Sequence, residues 1–377
     1  MLVVGAGLAG LSTAWHLLRD RSRRVVVLEQ DDRPGGRSSG RNAGMIRQAL
    51  TDPELCALAV EGRGTLERWA KAHPGLGWAR TGSLILADGR QRAQLSGIRS
   101  ALKRQGVRSE PWSHRKAAAR IAPLEGAELR EGIFCPSDAR LDIHRLVTTL
   151  TGAVRAAGGR VVLGARVAAI RRNPAGFTVR TAKGAYRAPV VVNAAGAWAS
   201  RIAYLAGASR MPLAPYRRHL YECAYRDRTA ANWPFVWDLS ADLYFRPIQG
   251  GLLMSPCDKR PFRPGAAGRL PGGEESTDRK VREIFIKKAA EYSPSFSGLR
   301  ILKERAGLRT MTPDGRFLIG PDPVLEGFHW AAGLGGHGVT TAFPVGRLAA
   351  ASALGRAQSS ELGPHLPSRY RRRTGER

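Results

Sequence analysis

Apolar positions near the start of the chain change period twice. Leu2, Val3 and Val4 form a short continuous run, Gly5-Ala6-Gly7-Leu8-Ala9-Gly10 interrupts it, and Leu11, Ala14, Trp15, Leu17 and Leu18 recur at helical spacing up to the basic stretch 19–24. Val25 to Leu28 is a second, β-branched run that ends on Glu29. This predicts strand, glycine turn, helix, strand. Farther along, Leu55, Leu58, Leu66 and Trp69 predict a helix over 54–71, and 81–87 reads as a strand. Asp142 caps a helical pattern of Leu146, Val147, Leu150 and Val154 that stops at Gly158-Gly159. Strands over 160–163 and 165–170 follow, then a hairpin-like pair over 176–181 and 184–188. A buried strand from Val190 runs into the small residues Ala194, Ala195, Gly196 and Ala197. Between 213 and 257, aromatic-rich alternating runs such as 244–247 and 251–255 predict an antiparallel sheet. A Pro/Gly loop over 261–276, an amphipathic helix over 277–292, a strand over 328–332 and a helix closing toward Ala353 complete the pattern. The basic tail 369–377 is expected to fray. The fold class expected is α/β: a Rossmann-like domain with a second, mainly antiparallel-sheet domain.

The opening pattern carries chemistry. In GxGxxG after a strand, Gly5 permits the tight turn, Gly7 lets the backbone approach a pyrophosphate, and Gly10 allows the helix to pack closely on the sheet. The helix N-terminus offers N–H groups and its dipole to phosphates. Glu29, about 20 residues past Gly10, is placed to accept hydrogen bonds from a ribose. A nicotinamide enzyme would normally proceed from here into its next helix. The chain instead enters a Gly-, Ser- and Arg-rich stretch, 31–44, built of turn formers. Such a loop suits a cofactor that extends beyond its pyrophosphate, which favours FAD.

Length and charge change this picture little. The chain has 377 residues, enough for about two domains, and its composition of 43% hydrophobic and 24% charged residues excludes disordered and fibrous classes. The net charge of +29 predicts non-specific attraction to nucleic acid or anionic lipid. Only 9 of the 60 basic residues are lysine, however, a composition typical of a GC-rich genome. No motif gathers the arginines into a nucleic-acid module. Cys56, Cys135, Cys223 and Cys257 are far apart, so neither disulfides nor a metal site are expected. No membrane span and no secretory leader are apparent, and the expected location is cytoplasmic.

The C-terminal third supplies the second signature. Residues 306–315, AGLRTMTPDG, lead into the apolar run 317–321, and after the strand 328–332 comes Gly333-Leu334-Gly335-Gly336-His337-Gly338-Val339-Thr340. Taken with the N-terminal fingerprint, 38–44 and 193–198, these four motifs in order resemble the glycine oxidase, sarcosine oxidase and D-amino-acid oxidase family of flavoproteins. The resemblance implies that Gly5, Gly7, Gly10 and Glu29 bind the ADP half of FAD. It implies that Arg37, Ser38 and Ser39 form the pyrophosphate loop, and that Val167 gives a backbone contact to adenine. Arg41, Asn42, Ala43 and Gly44 would pass the isoalloxazine. Ala195 and Gly196 would lie along the cofactor, and Gly333, Gly335, Gly336, His337, Gly338, Val339 and Thr340 over the pyrimidine edge. A helix N-terminus there would stabilise negative charge on reduced flavin.

In the family, Arg309 matches the arginine that pairs with the substrate carboxylate, a role suited to a planar guanidinium fork. Tyr244 matches a substrate-facing tyrosine, Arg246 is a candidate assistant, and His337 a candidate acid or base. Gly307 stands where sarcosine oxidases carry the cysteine that binds flavin covalently, and 38–44 lacks a histidine, so FAD is expected to be non-covalent. The resulting expectation is oxidation of a C–N bond in a small amino acid or N-substituted glycine. Hydride passes to flavin, the imine hydrolyses, and dioxygen or a quinone is the final electron acceptor. The alternative is a tRNA-modification oxidoreductase acting on a carboxymethylamino-type uridine. The expected division is a discontinuous FAD domain of 1–80, 140–210 and 306–356, a substrate domain of 81–139 and 211–305, and the tail 357–377.

Overall fold

The structure is a computed structural model and describes residues 1–125, 130–264 and 277–370. The expected loop from 265 to 276 and the tail from 371 onward lie outside the described residues.

Short β-branched runs from distant parts of the chain assemble into one six-stranded sheet. Its order is Leu318–Pro321, Phe328–Ala332, Val191–Asn193, Leu2–Val4, Val26–Leu28, Arg160–Val162. All neighbours are parallel except the first pair. Parallel strands are covered on both faces, which explains why they read as continuous apolar runs rather than alternating ones. The helix Leu8–Leu17 packs between Ala342–Ala353 and Ile143–Ala156. Asp142 caps the last of these by accepting from the His144 and Arg145 N–H groups. On the other side lies a small antiparallel sheet of Val167–Asn173, Gly176–Thr181 and Gly184–Ala188.

A nine-stranded sheet makes the second layer. Its central path runs Ala214–Ala224, Gly251–Ser255, Leu243–Ile248, Phe235–Asp238, Ser83–Ala87, Glu131–Cys135, and Ile301–Met311 pairs with Ala214–Ala224. Register, read with the two-residue side-chain period, sorts its residues onto two faces. Leu84, Leu86, Tyr221, Val236, Phe245, Leu252 and Met254 share the outer face, where Phe285 and Ala289 of the helix Arg279–Tyr292 cover them. Ile85, Leu220, Phe235, Tyr244 and Leu253 share the inner face and join the core that includes the first helix. Arg218, Glu222, Arg246, Arg305, Gly307 and Arg309 alternate onto that same inner face. The polar chemistry of this sheet is therefore aimed at the six-stranded one.

Candidate active site

The site begins at the first turn. Gly5 adopts φ +105°, and a Cβ at Gly10 would lie 1.9 Å from the Gly5 carbonyl oxygen, so the helix can start this close only with glycine at both positions. The Leu8 N–H donates to Ser39 Oγ at 2.9 Å, which ties the second loop to the helix N-terminus. Glu29 is buried, and its two carboxylate oxygens accept from the Ala6 N–H (2.7 Å) and the Asp31 N–H (3.0 Å). Burial pushes its carboxyl up to about 7, although both amide hydrogen bonds pull the other way.

One continuous cavity runs from this turn to the inner face of the large sheet. At one end it is lined by Glu29 and Val167, and along its length by Gly5, Gly7, Ser38, Ser39, Ala195 and Gly196. It then passes Arg41, Asn42 and Ala43 and ends among Gly307, Arg309, Tyr244, Arg218 and the segment Gly333, Gly335, Gly336, Gly338 and Val339. Arg37 also lines it, but its guanidinium makes two 2.7 Å hydrogen bonds to the Asp31 carboxylate and lies 4.9 Å from the Trp198 ring. Its charge is thus compensated within the wall.

Five residues expected at the site stand behind its lining. Gly10 is covered by Gly5, and Gly44 packs against Leu141, whose carbonyl oxygen would lie 2.6 Å from a Cβ. Arg246 donates from Nε to the Ala43 carbonyl (2.6 Å) and from Nη1 to that of Pro247 (2.8 Å), so it braces the loop and lies outside the lining. Thr340 accepts from the Arg47 N–H at 3.1 Å and lies outside the lining. His337 is likewise outside it, and burial, followed by Arg47 and Arg309, depresses its pKa to about 3. A neutral imidazole with that pKa is a poor acid or base near neutrality. Asn42 lines the cavity but is fully used: it donates to the Ser38 and Ser39 carbonyls and accepts from the Gly44 N–H.

The inner-face groups are different. Arg309 lies against the glycine segment, where a Cβ at Gly336 would sit 2.9 Å from its Nε. No described residue offers its guanidinium a hydrogen bond or a carboxylate. Burial lowers its pKa, and the neighbouring Arg218 lowers it further. Tyr244 is held by edge-on rings, Phe235 at 5.6 Å and Trp237 at 6.1 Å, and no described residue hydrogen-bonds its hydroxyl.

Sequence reading missed two further arginines. Arg218 lines the cavity, donates from Nε to the Asp258 carbonyl at 2.8 Å, and leaves Nη1 buried without a partner. Arg47 stacks 4.2 Å over the Trp237 ring, behind the lining. The alternation of Arg218 with Leu220 was available as a signal, but the face to which it belonged depends on register.

Residues 1–352 match the DAO family, FAD dependent oxidoreductase. The chain belongs to this family, and FAD is its cofactor. It is 28% identical over 349 residues to mitochondrial sarcosine dehydrogenase of Mus musculus, covering 90% of this chain and 38% of that protein. Its fold is shared by glycine oxidase from Geobacillus kaustophilus, with a TM-score of 0.84, 21% identity and 98% of each chain covered. L-proline dehydrogenase from P. horikoshii is similar as well, with a TM-score of 0.86, 21% identity, and 98% and 97% of the two chains covered. The chain thus spans well under half the length of the sarcosine dehydrogenase. The cavity fits FAD: a glycine turn approaches its floor, a buried carboxylate closes the Glu29 end, and side-chain-free backbone at Gly307 and Gly336 borders the other. Among the described residues no helix is long and apolar enough to cross a membrane.

Proposed function

We propose that this protein oxidises the C–N bond of a small amino acid or N-substituted glycine, giving an imine that hydrolyses. The observation that carries the reading is Arg309: a guanidinium lining the cavity, given no hydrogen bond or ion pair by any described residue, beside the free hydroxyl of Tyr244. Bound FAD would supply the two-electron acceptor for the substrate hydride. In this reading Gly5, Gly7, Ser38, Ser39, Ala195 and Gly196 hold the ADP side, with Glu29 and Val167 at the adenosine end. Arg41, Ala43, Gly307 and the segment 333–339 border the flavin ring.

Arg309 takes the substrate carboxylate through a charge-assisted pair, and Tyr244 donates a hydrogen bond to the same group. Two fixed donors orient the substrate α-carbon and replace the water it loses on entry. The flavin is non-covalent: a Cβ at Gly307 would lie 2.3 Å from the Arg41 carbonyl oxygen, leaving no room for a linking side chain. The placement of Arg309 and Tyr244 within a cavity supports a free small acid over a tRNA base. The same reading divides the chain into an FAD domain of 1–80, 140–210 and 306–356 and a substrate domain of 81–139 and 211–305. Dioxygen or a quinone serves as electron acceptor.

The test is anaerobic. Purified protein carrying FAD is mixed with glycine, sarcosine, proline and other amino acids, and the flavin absorbance is followed. Bleaching by at least one of them, restored by an electron acceptor, is the expected result. An unchanged spectrum with every free amine, or a protein that cannot be loaded with FAD, overturns the reading.

A further inference from the structure

One carboxylate on Arg309 leaves a second guanidinium at the substrate end of the cavity, Arg218, without an ion pair among the described residues. Strand register puts Arg218 directly opposite Gly307, so Arg218 and Arg309 are diagonal neighbours on one face. Arg218 is only 7% exposed, yet its one hydrogen bond goes to a neutral carbonyl and its Nη1 has no partner. Arg47 adds a third guanidinium from behind Trp237, where no described residue hydrogen-bonds it or pairs with it.

Among the described residues no acid forms an ion pair with these three guanidinium groups, although Asp258 acts through space on Arg218 and Arg309, and Asp138 on Arg47. Glu222 pairs with Arg305, and both Asp258 carboxylate oxygens accept from His219, one from its N–H at 2.9 Å and one from Nδ1 at 2.8 Å. Both oxygens of Asp138 are taken by Gln48 and Ser83. Among the described residues the cavity lining contains a single acid, Glu29, and it sits at the opposite end. Buried guanidinium groups without counterions are costly, and they persist where a ligand supplies the missing charge.

We propose that the substrate carries a second carboxylate, held by Arg218 while Arg309 holds the first. This rests on the amine-oxidation reading above and narrows it to amines bearing two carboxylates a few bonds apart. Diagonal neighbours on paired strands are about 7–8 Å apart at the backbone, so two long side chains on one face can converge on the carboxylates of one imino dicarboxylate or short α-amino dicarboxylate. Small monocarboxylates such as sarcosine would occupy only Arg309 and leave Arg218 desolvated and unpaired.

Two measurements on the FAD-loaded protein test this. In the first, thioether ligands that lack the reactive amine are titrated against the flavin spectrum: methylthioacetate with one carboxylate, thiodiglycolate with two. The dianion is expected to bind about tenfold or more tightly at low salt. Arg218→Met should collapse that ratio at least severalfold, and Arg218→Lys should recover part of it. A purely structural role for Arg218 would not move the ratio. Equal binding of the two ligands, or a ratio that Arg218→Met leaves unchanged, overturns the proposal.

In the second, anaerobic bleaching is compared for sarcosine, iminodiacetate and aspartate. Faster reduction by iminodiacetate or aspartate supports the second carboxylate and tells the imino from the amino class. Faster reduction by sarcosine overturns it. Tight dianion binding without bleaching by any amine leaves the two-carboxylate site standing and removes the amine-oxidation reading.

Discussion

A methyl group added at Gly307 has nowhere to go. Its Cβ would lie 2.3 Å from the Arg41 carbonyl oxygen, about 1 Å short of an ordinary carbon–oxygen contact. The strand cannot yield easily, because Gly307 is paired with Arg218 of Ala214–Ala224. The loop must move instead, and it is buckled by Asn42 and braced by Arg246 on the Ala43 carbonyl. Overpacking of this kind costs about 1–3 kcal/mol. Expressed as affinity for a cofactor bordered by that loop, the same cost is roughly 5- to 150-fold.

The assay is titration of the Gly307→Ala apoprotein with FAD, read by quenching of flavin fluorescence, with thermal unfolding of the loaded protein alongside. Weaker binding and a lower Tm are expected, and Gly307→Cys should be worse because its side chain is longer. Wild-type FAD affinity and Tm in Gly307→Ala would refute the reasoning, and with it the steric case for non-covalent flavin.

Other outcomes follow from the same geometry. Arg309→Met should leave the substrate-free protein at least as stable as the wild type, because it removes a half-buried charge repelled by Arg218. It should also lower kcat/KM by roughly 100-fold or more, through loss of the carboxylate pair. Denaturant melts and steady-state kinetics read the two effects, and a variant destabilised as well as inactive would argue against the reading. Glu29 is raised from 4.5 to about 7, so the folded protein holds a proton that the unfolded chain releases between those pH values. The Glu29 contribution to apoprotein stability is therefore fully retained below about pH 4.5 and falls by roughly 3 kcal/mol as pH rises through 7, a slope that Glu29→Gln should flatten in pH-dependent urea melts. His337 is shifted the other way, from 6.5 to about 3, so its contribution is present above 6.5 and is lost as pH falls toward 3. His337→Gln should lessen the acid sensitivity of the melt, and an unchanged acid limb would contradict its burial as a neutral group.

The identity of the cofactor was legible because its determinants are local. Gly5, Gly7 and Gly10 are needed by a turn only a few residues long, and Glu29 ends the adjacent strand at a spacing set by one helix. The aromatic and apolar alternation of 213–257 likewise showed a sheet, since a two-residue period is a property of the strand itself. The candidate carboxylate arginine was legible only through the motif around it, and Arg309 lines the cavity.

What the sequence could not decide was which polar side chains act and which are consumed. Arg37, Asn42 and Arg246 occupied motif or near-motif positions, yet each spends its hydrogen bonds on Asp31, on the 38–44 loop or on the Ala43 carbonyl. Arg218 and Arg47 had no motif, and they emerge as guanidinium groups without an ion pair among the described residues only once strands distant in sequence are placed side by side. Long cationic side chains take their meaning from whatever lies within reach of their tips. Local turn geometry and period were written into the sequence by itself; the pairing of each charge depended on register between distant segments, which only the tertiary structure decided.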